Sequence, residues 1–159
     1  MNNMNKDKLK ELVNALDSLS DDIKDWGVNM ISEEKPTCGT PGCHAGLISI
    51  VAKDLPELQE IYKIHLYLTN RVGNQSDYHY SIWADTLAEF LGIKNRRHLR
   101  DWAKNNPKLW GNEFGEWMFC CWSAFVDDSD KKLTHRVILE HWKQVLANIE
   151  KRSMRNEQR

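Results

Sequence analysis

Apolar residues recur at three- and four-residue steps along most of the chain, with polar residues between them. Leu9, Leu12, Val13, Leu16 and Leu19 predict an amphipathic helix from about residue 5 to 19. Ser20 then caps a short second piece over 21–26, with Asp21 and Asp22 in the first turn, where the helix dipole favours acids, and Gly27 as its stop. A polar connection holding Pro36 follows. Thr40-Pro41 predicts the start of a third helix, because threonine accepts from an early N–H and proline at the first helical position loses no bond. Cys43, Leu47, Ile50 and Val51 fall on one face of it, and Gly42 and Gly46 leave a strip another backbone can approach. That pattern is expected of a buried, central helix.

Asp54 and Glu57, with Pro56 between them, read as a capping box for a helix carrying Leu58, Ile61, Tyr62, Ile64 or His65, and Leu68. Residues 69–80 break the period and read as the longest loop. A helix from residue 80 or 81 carries Trp83, Ala84, Leu87, Ala88, Phe90 and Leu91, and Gly92 stops it. Asn95 caps the next helix, with Leu99, Trp102 and Ala103 inward and Pro107 closing it. Residues 109–112 read as a turn, after which Phe114, Trp117, Met118, Cys121, Trp122 and Phe125 form a stripe broad enough for one of the most buried elements. Thr134 caps a last helix, with Ile138, Trp142, Val145, Leu146 and Ile149 inward. Strand-like alternation is scarce. The expected fold is all-α, a single compact domain of about six to seven helices over residues 1–150. A basic tail, residues 151–159, lacks apolar periodicity and is expected to fray.

Composition sharpens this picture in two ways. The chain's 159 residues include seven Trp, enough large apolar area for a substantial core despite 28% charged residues. No apolar run approaches the roughly 18 residues of a membrane span, and the N-terminal residues form no apolar leader, so a cytoplasmic protein without membrane contact is expected. The four cysteines are then expected as thiols.

Charge changes the picture more. The formal net charge of −1 conceals a basic segment, residues 94–108, with six basic groups and one acidic. Lys94, Arg96, Arg97, Arg100 and Lys104 are therefore the candidate surface for a protein or nucleic-acid partner. The segment around 84–104 resembles a DNA-binding helix-turn-helix: Ala88, Gly92 and Ile93 stand where that motif has a small residue, a turn glycine and an apolar residue. Its register departs from the motif downstream, since His98 and Asp101 occupy the usual apolar positions and Leu99 and Trp102 come one residue late. Trp102 and Trp110 invite a second reading as stacking platforms for single strands, against the simpler one that they are core.

Cys38, Cys43 and His44 are three metal-capable side chains within seven residues, but the second pair that a zinc knuckle needs is missing. A thiol near a helix start can also act as a nucleophile, and Cys38 with His44 is the easier pairing geometrically. The expectation for both cysteines is nevertheless packing, with no metal and no cofactor assigned. Asp127, Asp128 and Asp130 lack the glycine and closing glutamate of a calcium loop and read as a solvated turn.

Cys38-Gly39-Thr40-x-x-Cys43-x-Ala45-Gly46, with Trp26 and Met30 upstream, resembles a scattered group of short bacterial and phage proteins bearing this signature. Ala88-Glu89-Phe90-Leu91-Gly92-Ile93 is similar to a helix that often follows in that group. The resemblance implies a phage or mobile-element context and brings no catalytic residues with it. The combined expectation is a non-enzymatic domain that binds another protein through a charged surface, possible targets being host complexes. A DNA-binding regulator is the alternative, and zinc or thiol chemistry at Cys38, Cys43 and His44 a third reading.

Overall fold

The computed structural model describes residues 3–25, 44–71, 78–111 and 134–159, with backbone alone for 44–46, 69–71 and 78–81. Among these residues the fold is all-helical: α1 (Lys6–Asp17), α2 (Asp21–Lys24), α3 (His44–Val51), α4 (Pro56–Arg71), α5 (Tyr78–Phe90), α6 (Arg96–Asn105), α7 (Pro107–Trp110) and α8 (His135–Glu157). A 3-10 turn, Ala52–Asp54, joins α3 to α4.

Local chemistry sets the starts. The Asn5 side-chain oxygen accepts from the Asp7 and Lys8 N–H groups at 3.0 and 3.1 Å, Ser20 from Ile23, Asn95 from His98, and Thr134 from Val137. Each acceptor satisfies a donor that a helix start would otherwise orphan. α4 begins differently: Leu55 takes the first helical bond, from the Gln59 N–H at 3.1 Å, so it occupies the cap position expected for Asp54, which ends the 3-10 turn one residue earlier.

α5 is the middle element. Ile82, Trp83, Ala84, Thr86, Leu87, Ala88 and Phe90 are all buried, which covers most of its circumference, and α3, α4 and α6 pack around it. The Thr86 hydroxyl survives this burial by donating to the Ile82 carbonyl at 2.6 Å. The central position expected for the helix after Pro41 therefore belongs to α5. α3 packs against it with Leu47, Ile48 and Val51, and Ile50 is only half-buried because its position lies on the flank of that face.

α8 crosses α1 and α7 and buries Ile138, Leu139, His141, Trp142 and Val145. It continues through the segment expected to fray, as far as Glu157, although the side chains beyond Glu150 are exposed apart from half-buried Ser153. Backbone hydrogen bonding carries a good helical sequence past the point where packing ends. The loop expected over 69–80 is shorter at both ends, because α4 runs on to Arg71 and α5 begins at Tyr78. Residues 72–77, the expected stripe from Phe114 to Phe125, the Pro41 start and Trp26-Gly27 lie outside the described residues.

Candidate interaction surfaces

The α5–α6 pair is built by its turn. The Gly92 N–H donates to the Glu89 carbonyl at 2.9 Å and the Ile93 N–H to the Ala88 carbonyl at 2.8 Å, which is the two-bond Schellman ending of a helix. Gly92 supplies the left-handed φ of +82° that this ending needs. Asn95 then starts α6, and its oxygen also lies 2.7 Å from His98 Nδ1. A hydrogen bond crosses between the helices here: the Asp85 carboxylate on α5 accepts from the Arg96 N–H at 2.9 Å. It pins the first turn of α6 to α5 and places a negative charge at the positive end of the helix dipole.

Within α6, Leu99, Trp102 and Ala103 are buried, as their spacing predicts. Residues 91–95 separate the two helices, Asn95 caps α6, and α6 packs against α5 with Leu99 and Trp102 buried one residue later than in a helix-turn-helix. Lys94, Arg96, Arg97 and Lys104 are exposed. Arg100 differs. It is half-buried, with the Nε of its guanidinium enclosed and without a hydrogen-bond partner.

Trp102 and Trp110 are interior residues. Trp110 is 2% exposed and meets Trp102 edge to face at 6.2 Å, Trp142 at 5.3 Å and the His141 ring at 4.8 Å. These indoles are closed to a stacking base, which settles their role as core. Asn148 on α8 fixes the same corner by donating to the Leu109 carbonyl at 3.0 Å.

A second surface lies on α4, and sequence reasoning missed it. Ile64, Tyr67 and Leu68 are 58%, 61% and 52% exposed, although they stand one turn apart on a single face. α4 packs on α5, with Leu58, Ile61 and Tyr62 in or against the core and the Tyr62 ring stacked on Trp83 at 3.8 Å. His65 Nε2, 2.5 Å from a Glu89 carboxylate oxygen, links the same two helices. The signal lies in the sequence as apolar residues on too much of the circumference of α4: the spacing predicts Leu68, and Ile64 or His65, inward, whereas Ile64 and Leu68 are exposed, and it gives Tyr67 no role.

Cys38 and Cys43 lie outside the described residues, and of His44 only the backbone is described, as the first residue of α3. Among the described residues no group of three His, Cys, Asp or Glu side chains is placed to hold a metal ion. Nor is any helix among them long and apolar enough to cross a membrane. No protein-family model, curated protein or solved structure matches the chain.

Proposed function

We propose that the protein is a non-enzymatic interaction domain that binds another protein, with the α4 stripe as its apolar anchor. The observation that carries this reading is the exposure of Ile64, Tyr67 and Leu68 together on one helix face. Single exposed apolar residues are ordinary on a protein surface, whereas three on adjacent turns, one of them a tyrosine, make the kind of patch that interfaces centre on. Glu57, Glu60 and Lys63 on the same helix supply a polar rim. Support also comes from the work done by the polar residues elsewhere: Asn5, Ser20, Asp85, Asn95 and Thr134 terminate helices.

The resemblance at Cys38-Gly39-Thr40 extends the proposal to a phage or mobile-element protein that engages a host complex. The test is a comparison of the full chain with an Ile64→Asp/Leu68→Asp variant as baits in host lysate, helical content being checked by circular dichroism. A partner retained by the wild type and lost by the folded variant supports the reading. Identical retention by both, or a partner that is simply a second copy of the chain in sedimentation, rejects it.

A further inference from the structure

We propose that the α5–α6 pair binds double-stranded DNA, with α6 lying in the major groove and the cations around it meeting phosphates and base edges. This surface is separate from the α4 stripe, and its success or failure leaves the protein-binding proposal untouched.

The inward face of α6 is fixed by Leu99, Trp102 and Ala103, all buried. Counting about 100° per residue from that face, Arg96, Arg100, Lys104 and Arg97 fall within an arc of about 100° on one side of the helix. Asp101, the only acid on α6, lies beyond the edge of the arc. Lys94 in the turn before α6 and Lys108 in α7 extend the positive charge at both ends, and both are exposed. At ten residues α6 is about 15 Å long, and a helix of ordinary diameter fits a major groove about 12 Å wide.

The turn gives this charge a docking frame. The Schellman ending of α5, the Asn95 cap and the Asp85 contact to the Arg96 N–H together hold the first turn of α6 in a set orientation to α5. That is the helix whose early residues reach base edges in a helix-turn-helix, while the preceding helix crosses the backbone. Here those early residues are Arg96 and Arg97. Arginine is suited to the place because its guanidinium pairs in two-pronged fashion with guanine or phosphate.

Two observations choose duplex DNA from the anionic partners that charge alone would admit. Every exposed residue of α6 is polar, namely Arg96, Arg97, His98, Asp101, Lys104 and Asn105. The face thus lacks the apolar centre that a protein interface needs, and phosphate contacts need none. The neighbouring indoles, Trp102 and Trp110, are buried, which removes the stacking platforms that single strands use.

The test is fluorescence anisotropy of the full chain with a labelled mixed-sequence DNA duplex, an RNA duplex of the same sequence, and polyglutamate as competitor. With four phosphates neutralised, the affinity should fall about 150-fold between about 50 and 200 mM salt. Lys94→Ala and Lys108→Ala should each reduce the logarithmic salt slope by about 0.9. An Arg96→Gln/Arg97→Gln/Arg100→Gln variant should lose binding. Because Arg100 is partly enclosed and its loss could disturb the fold, a Lys94→Glu/Arg97→Glu variant, changed only at exposed positions, should also lose binding while keeping wild-type circular dichroism. Absence of binding at low salt, or binding unchanged in the folded double variant, overturns the proposal. So does equal affinity for the RNA duplex, whose deep, narrow major groove excludes a helix, or displacement of the DNA by polyglutamate at matched charge.

Discussion

The indole of Trp110 stands edge-on to that of Trp142, with centroids 5.3 Å apart and planes at 88°. Trp110 ends α7 and Trp142 lies in the first half of α8, so this pair is where the α5–α6–α7 unit meets the long C-terminal helix. Trp142 is fully buried and Trp110 nearly so. Edge-to-face geometry sets the positive rim of one ring against the negative face of the other, a gain beyond simple area burial. Trp142→Ala removes the largest of the fully buried side chains and should cost about 3–5 kcal/mol, measured as a fall in the urea midpoint with an unchanged slope. Trp110→Phe keeps an aromatic edge and should cost less than half as much. Equal losses would show that the cost does not follow the volume removed and that an aromatic edge alone does not preserve the junction.

A second junction depends on backbone shape. Gly92 takes a φ of +82°, and a Cβ placed there would lie 3.4 Å from the Asn5 Cβ, an ordinary contact distance. The Asn5 N–H also donates to the Leu91 carbonyl at 2.8 Å, so the start of α1 closes over the end of α5. Since the space admits a methyl group, the penalty for Gly92→Ala is mainly conformational, about 1–2 kcal/mol by denaturant titration. Gly92→Asn should cost less, because asparagine tolerates the left-handed region better. If asparagine proves as damaging as alanine, crowding by Asn5 is the dominant effect instead.

These junctions show which features were legible from residue order. Ser20, Asn95, Gly92 and Thr134 are local signals, whose meaning lies within four residues of themselves, and all four act as expected. Burial is a different kind of property. Periodicity places Leu47 and Val51 on one face but cannot say which helix the others gather around. That depends on partners far along the chain, and α5 takes the centre because α3, α4 and α6 all pack on it. The same non-locality hid the α4 stripe, since an apolar residue looks alike whether a neighbour covers it or not. Charge clustering on α6 was legible, yet the Asp85 contact that orients the helix spans eleven residues and has no sequence signature.

At the other end of the core, Arg136 joins the first turn of α8 to α2. Its Nε donates to Asp25 at 2.7 Å and its terminal nitrogen to Asp21 at 3.1 Å. The guanidinium holds the Asp25 carboxyl below the usual carboxylate range, by hydrogen bonding first and by charge second. In a carboxyl-carbon NMR titration, Asp25 should therefore titrate below an unperturbed aspartate. Arg136→Gln should move it back up, and added salt should do so in part. An Asp25 titration indifferent to Arg136 would mean the pair is not formed in solution. The pair is exposed and its effect on folding should be correspondingly small.

The pH dependence of stability should be governed between about pH 4 and 6.5 by His141. This imidazole is buried against Trp110, and burial pushes its pKa down from 6.5 to about 4. In the unfolded chain His141 returns to the ordinary value and binds a proton as pH falls below about 6.5, while the folded protein resists until about 4. The unfolded state thus holds more protons across that window. The contribution of His141 is fully present above the upper limit, declines as pH falls, and is exhausted below the lower one. The shift corresponds to about 3 kcal/mol between the two limits. Chemical denaturation at stepped pH should show this decline, and His141→Phe, which keeps a buried ring beside Trp110, should flatten it while the descent below pH 4 caused by Asp17 and Asp25 persists. A variant whose stability falls as steeply as the wild type between pH 6.5 and 4 would assign the titration to another group.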